Sequence, residues 1–458
     1  MQNFWDFNVW GLLNIFAMLL VSLLISTLLK RSNLLKKTLI PTSVLAGLTL
    51  LVISTAFFYL TGGQVMYDTN FFGGNGAAVL EMITYHCLAL GFIASTLKTS
   101  NNKFNKKRSA EIFDSGVTTV ATYLLQAIVG MGITLIVALV IDGFFSVAGI
   151  LLPFGFGQGT GQAMNYGTIY ETDYGFVGGK NFGLTVAALG FLSASVGGVF
   201  HLYTLKRKGK ITPGVRNSGN VGEVEGANEI EMGGSVDKFT LQLAFVALAY
   251  IVAYGAMCGL GALLPGMKAT IFGFNFLLGV FGAILVKKTV QFLRKKNVLK
   301  KDYINNFLLT RITNLCFDLM VVAGIAVIRL DLLKEHWGIL LILAVAGLVS
   351  TYLYNLFVAK KLFGEYADEQ FLAMYGMLTG TASTGAILLR ELDHDFKSPA
   401  SDNLIYQTVP AIAFGFPIML LATFAPKQPV ATLFILIGFF VVMNIILFRR
   451  QIFKRKKK

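Results

Sequence analysis

The sequence predicts an all-α integral membrane protein with about eleven transmembrane helices: two inverted five-helix repeats, each holding a re-entrant hairpin, plus one extra C-terminal helix. Three observations carry this expectation. Hydrophobic residues make up 55% of the 458-residue chain and charged ones only 14%, with a mean hydropathy of +0.67, a balance that a water-soluble domain does not tolerate. Apolar segments of about 20 residues, the length that crosses a bilayer, follow one another with short gaps. Two Gly- and hydroxyl-rich interruptions occupy matching places in the two halves.

The expected spans are 9–29, 38–61, 79–97, 115–141, 178–205, 239–263, 269–286, 306–330, 337–359, 402–424 and 430–448. The first is too long for a signal-peptide core and has neither a basic start nor a small-residue cleavage site, so it reads as a retained helix. Cys87, Cys258 and Cys316 fall in separate apolar spans and read as packing residues. His86, His201, His336 and His394 form no metal motif. No transition-metal site or cofactor is expected.

A formal net charge of +15 would suit a nucleic-acid partner if the basic residues shared a soluble surface. Here they follow alternate spans, the pattern that membrane insertion imposes, so no nucleic acid is expected. Lys30, Arg31, Lys36 and Lys37 follow the first span, and Lys98 to Arg108 the third. Lys206 to Lys210 follow the fifth, Lys287 to Lys301 the seventh, and Lys360 and Lys361 the ninth. The stretches 62–78 and 142–177 carry acidic residues and no Lys or Arg. The positive-inside rule therefore places the N-terminus outside and the C-terminus in the cytoplasm of a plasma membrane of the bacterial cytoplasmic type.

This orientation organises the chain into residues 1–205 as the first repeat, 206–238 as a flexible cytoplasmic linker, 239–424 as the second repeat, and 425–458 as an extra helix with a basic tail. The first hairpin, about 143–170, contains SVAGILLPFGFGQGTGQAMNYG, and the second, about 370–392, contains FLAMYGMLTGTASTGAILLREL. With this topology the first enters from outside and the second from inside. A weaker echo links Leu90–Lys98 to Val322–Leu330. Inverted repeats with broken helices point to a secondary transporter, because a break at membrane depth frees backbone groups that an ion or solute then satisfies.

Gly157, Gly159, Thr160, Gly161, Gln162 and Asn165 are candidate substrate-binding residues of the first hairpin, since small and amide side chains let backbone approach a ligand. Its GFGQGTG run has no preceding strand and no following Lys-Ser/Thr, which sets it apart from a phosphate loop. In the second hairpin, Thr381, Ser383 and Thr384 are candidates for substrate and Thr379, Gly380 and Gly385 for the coupling ion. Arg311, Asn314 and Asp318 are spaced for one helix face, with Asp318 near mid-depth. An ionisable side chain there is costly, and Asn314 and Asp318 are candidate ion ligands.

GQGTGQA at Gly157–Ala163, followed by LGFLSASVGG at Leu189–Gly198, resembles the first signature of the bacterial sodium/glutamate symporter family. The second hairpin with VPAIAFG at Val409–Gly415 resembles the second signature, and the hydrophobic plan matches over about residues 1–424, including LKKTLIP at Leu35–Pro41. The resemblance implies sodium-coupled import of glutamate or a related amino acid or dicarboxylate by alternating access, sodium as the coupling ion, and a homodimer. Thr379–Ile387 departs from the family's proline-containing Thr-rich turn, and the eleventh span lies outside its usual plan. That span is expected to be a peripheral anchor. The alternatives are a proton-coupled transporter of another small organic anion, with Asp318 as proton carrier, and a membrane-embedded transferase. The chain shows no nucleophile and base pair or soluble catalytic domain, so an enzyme is not expected.

Overall fold

In a computed structural model, the structure describes residues 6–32, 35, 39–98, 105–209, 237–265, 268–298, 303–393 and 398–452. Most of the expected linker, parts of three basic loops and the end of the basic tail lie outside them. The described residues are helical, with no strand. Ten of their helices are long and apolar enough to cross a bilayer, or eleven when one pair bent by 44° is counted as a single span. Such a set of helices is that of an all-α, multi-pass membrane protein.

The helices are α1 (Phe7–Leu29), α2 (Thr42–Leu60), α3 (Gly76–Leu97), α4 (Lys106–Val140), α5 (Leu151–Gln158), α6 (Thr160–Tyr174) and α7 (Gly179–Arg207). After them come α8 (Lys238–Leu263), α9 (Lys268–Gly273), α10 (Asn275–Lys295), α11 (Asn306–Ala326) and α12 (Trp337–Leu362). The chain continues with α13 (Ala367–Leu378), α14 (Ala382–Arg390), α15 (Pro399–Tyr406), α16 (Thr408–Phe424), α17 (Pro429–Leu447) and α18 (Arg449–Ile452). The bent pair is α15 and α16.

Two compact units divide the chain. One comprises Met1–Thr84, Phe104–Leu202 and Val321–Lys458, the other Tyr85–Lys103 and Tyr203–Met320.

The spine of the first unit is α4. Its first turn is capped by Asn105, whose side chain accepts from the Arg108 N–H at 2.8 Å, and the helix runs 35 residues, longer at its start than the apolar run alone indicates. Against it pack α5, α12, α16 and α17. The extra C-terminal helix α17 is thus a packed element of this unit. Three tyrosines four residues apart on α6 pin it to α16: Tyr166 donates to Met419 O at 2.8 Å, Tyr170 to Ala422 O at 2.7 Å and Tyr174 to Thr423 O at 3.3 Å. One helix face therefore makes all three bonds.

In the second unit α8 packs along α10, and the amide of Gln242 ties the start of α8 to the approach of α11, donating to Tyr303 O at 2.8 Å and accepting from Asn305 N–H at 3.0 Å. The seventh span differs from its expected 269–286. A turn at Phe274 separates α9 from α10, which continues through Lys287 to Lys295. The Lys287 ammonium donates to Thr96 O at 3.2 Å and to Lys98 O at the end of α3, where carbonyls lack partners and the helix dipole is negative. That bond lets a charged residue extend the helix where sequence alone suggests a loop. Phe92 and Phe317, far apart in sequence, meet here with ring centroids 5.6 Å apart.

Candidate functional site

Both Gly-rich segments of the first unit are pairs of helices separated by a break. The first break is at Gly159, between α5 and α6, with φ +81° and ψ −171°. Only glycine occupies that backbone region without strain, because a Cβ there meets its own carbonyls. The second lies between Leu378 and Ala382, and Thr381 caps α14 in a reciprocal capping box with Thr384. The arms α13 and α14 touch at Gly376 and Gly385, where a Cβ on Gly376 would lie 2.8 Å from the Gly385 Cα.

Two helices bring the breaks together. On α7, a Cβ at Gly190 would lie 2.8 Å from Thr379 O and 3.0 Å from Phe156 Cδ2, so the end of α13 and the end of α5 converge on one small residue. On α4, Tyr123 donates to Gly157 O at 2.9 Å, and one turn on Gln126 donates to Leu378 O at 2.8 Å and to Thr351 Oγ1 at 2.9 Å. Each break thus has a terminal carbonyl held by a side chain from the same face of α4.

This face is polar along its length. Ser115 accepts from Gln370 Nε2 at 3.1 Å, Thr119 donates to Gln407 Oε1 at 2.8 Å, and Thr122 accepts from Asn355 Nδ2 at 3.3 Å. Sequence reasoning missed these residues. Their signal is a run of Ser, Thr, Tyr and Gln at helical spacing inside an apolar span.

Several amide groups in this region are left over. Gln126 is fully buried, and among the described residues its Oε1 has no hydrogen-bond partner. The same holds for Asn355 Oδ1, beside Thr122, and for Gln162 Nε2, in the first turn of α6. Buried polar groups of this kind cost roughly 1–3 kcal/mol each unless a ligand, ion or water meets them. Two acceptors and one donor are therefore available around the paired breaks. The C-terminal carbonyls of α5 and α13 present negative ends, and the N-termini of α6 and α14 present N–H groups.

Of the expected site residues, Gly157, Gly159, Thr160, Gly161, Gln162 and Asn165 are all buried at the first break. Asn165 Nδ2 donates to Gln162 Oε1 at 3.4 Å, and Thr160 packs against Gly324 of α11, whose Cβ would lie 2.6 Å from the Thr160 Cβ. Thr379, Gly380, Thr384 and Gly385 are buried at the second break, and Thr381 and Ser383 half-buried. Thr379 donates to Tyr375 O at 2.6 Å within its own helix, and Thr381 and Thr384 are engaged in the cap. Their hydroxyl oxygens retain lone pairs for a cation. Asn314 and Asp318 belong to the second unit, Asn314 exposed and Asp318 half-buried, and Arg311 is exposed over the Phe307 ring at 5.0 Å.

Compared with known proteins, the chain matches no family model and no curated sequence.

Proposed function

We propose that this protein is a secondary active transporter that carries glutamate, or a related amino acid or dicarboxylate, together with sodium across the bacterial cytoplasmic membrane by alternating access. The observation that carries this reading is the convergence of two helix breaks on α4 and α7 beside unpartnered buried amides of Gln126, Gln162 and Asn355. In a membrane protein such breaks persist where something other than lipid satisfies them. The N–H ends of α6 and α14 suit a carboxylate, and the freed carbonyls with the Thr379 and Thr384 hydroxyls suit sodium.

In this reading the breaks are the tips of re-entrant hairpins in two inverted five-helix repeats, the N-terminus lies outside and the C-terminus in the cytoplasm, and the functional unit is a homodimer. The alternation of basic and acidic loops supports the orientation, and the signature residues Gly157–Ala163 and Val409–Gly415 support the substrate and the ion. The test is uptake of labelled glutamate into proteoliposomes with and without an imposed sodium gradient, competed by aspartate and by dicarboxylates. Sodium-driven uptake with competition is expected. No uptake of any of these solutes under a sodium gradient overturns the reading, and uptake driven by a proton gradient alone transfers it to proton coupling. Asp318, the second unit's own candidate ion ligand, is tested by Asp318→Asn, which is expected to lose sodium dependence; normal sodium-dependent transport by that variant removes Asp318 from the candidates.

A further inference from the structure

Away from the paired breaks, the first unit holds a cavity of about 190 Å³ at the ends of α2 and α6 and the starts of α3 and α7, lined also by the segment that follows α11. At about 10–15 Å³ per water-sized group it has room for about 13 to 19, enough for the charged ends of a small solute and a short side chain. It shares no residue with the Gln126 region.

Its lining carries charge in opposed pairs. Lys180 Nζ meets Glu81 Oε1 at 2.5 Å. Arg329 makes a fork with Asp331, Nε to Oδ1 at 2.8 Å and Nη2 to Oδ2 at 2.6 Å, and stacks over Phe58 at 4.9 Å. The fork leaves three of the five Arg329 N–H donors and two of the three Lys180 ammonium hydrogens for another acceptor. Arg329 is itself fixed: its backbone N–H donates to Asn181 Oδ1 at 2.8 Å. Asp331 is kept charged, since the Arg329 hydrogen bond holds its carboxyl below the ordinary carboxylate value.

We propose that this cavity is a binding site for a small zwitterion of the α-amino acid class, whose carboxylate bridges Lys180 and Arg329 while its ammonium faces Glu81 and Asp331. Charge balance selects the class. Glu171 accepts from the Lys180 backbone N–H at 2.9 Å at the start of α7, whose N-terminal N–H groups offset its charge. This leaves Glu81 and Asp331 against Lys180 and Arg329, so a dianion would meet two carboxylates and a diamine two cations. A zwitterion that opens either ion pair supplies a new partner for each freed charge and leaves none uncompensated, which matters where the side chains are only about a third exposed or less. The apolar wall that includes Phe58 takes the remainder of the solute. This site stands independently of the transport reading.

The test is isothermal titration of the purified full chain, in sodium-free buffer so that the sodium-coupled site at the paired breaks stays unloaded, with glycine and glutamate, against succinate, which lacks the ammonium, and cadaverine, which lacks the carboxylate. At least one zwitterion is expected to bind, and succinate and cadaverine tenfold or more weakly. Lys180→Gln and Arg329→Gln are expected to weaken zwitterion binding tenfold or more. Thr55→Phe, which fills the cavity while leaving both ion pairs in place, is expected to abolish it, and it keeps the test decisive where an ion-pair variant fails to fold. Gly438→Ala in α17, outside both the cavity and the paired breaks, is expected to leave this binding intact. No binding of either zwitterion, or undiminished binding by Thr55→Phe, would overturn the proposal. Failure of glutamate uptake with the cavity binding preserved would bear on the transport reading alone.

Discussion

The Gln126 side-chain amide donates to the carbonyl oxygen of Leu378 at 2.8 Å, joining the middle of α4 to the end of α13 across 252 positions of sequence. The same amide group reaches Thr351, and its own oxygen is buried without a partner. A glutamine held by its nitrogen and left open at its oxygen is arranged to accept from something outside the protein. Gln126→Leu removes that acceptor at similar size and should lower the initial rate of glutamate uptake by tenfold or more. Loss of the two donated bonds should cost about 1–3 kcal/mol of stability, read as a modest fall in Tm. Uptake at the unsubstituted rate would exclude Gln126 from the site.

The backbone at Gly159 makes a second expectation sharp. Its φ of +81° with ψ of −171° is closed to residues with a Cβ, so Gly159→Ala should destabilise the protein by about 1–3 kcal/mol and impair transport more than stability. Gly438→Ala in α17 is the control. Nothing lies within 4 Å of the added methyl, and alanine is favoured over glycine in a helix by up to about 1 kcal/mol. Thermal unfolding of the two variants should move in opposite directions.

The helix breaks were legible because consecutive glycines and hydroxyls cannot sustain an apolar helix, and Gly159 and Thr379 to Thr381 lie where those runs lie. The partners of the breaks were not. Thr119, Tyr123 and Gln126 stand in an apolar span where a hydroxyl is ordinarily satisfied by its own helix, as Thr118 is by Asp114 O at 2.7 Å. Only long-range packing tells Tyr123, which reaches Gly157 O, from Thr118. The Phe92 to Phe317 contact is hidden for the same reason, since it depends on helix pairing rather than spacing. Lys287 misled in the opposite direction: its charge marks a loop until the carbonyls that receive it are placed.

The extra C-terminal helix makes a third expectation. Arg449 Nη1 meets Asp114 Oδ1 at 2.6 Å, with the Asp114 side chain 7% exposed and Arg449 31%, and the guanidinium lies over Phe113 at 5.0 Å. Arg449→Ala strands the Asp114 carboxylate. A fully buried pair would lose about 3–5 kcal/mol, and partial exposure of Arg449 reduces this to about 1–3 kcal/mol. Asp114→Asn in the Arg449→Ala background should recover part of the loss. A double-mutant cycle with no coupling would show that the pair does not hold α18 to α4.

A pH dependence follows from His336, which precedes α12 and so lies outside its spanning segment. Its ring sits 5.9 Å from Phe144, 5.7 Å from Phe176 and 5.9 Å from Phe182 between centroids, and among the described residues Nδ1 has no hydrogen-bond partner. Burial lowers its pKa below the ordinary 6.5, against smaller opposing contributions from the Glu335 charge and the Val177 backbone. With the folded value depressed, the unfolded chain binds the proton first as pH falls, so stability is full above about 6.5 and declines below it until the folded value is passed. The wild-type Tm should therefore drop between pH 7 and pH 5 by more than that of His336→Phe, which keeps an aromatic ring in the cluster and cannot titrate. Parallel Tm curves for the two proteins over that range would show that His336 carries none of the acid sensitivity.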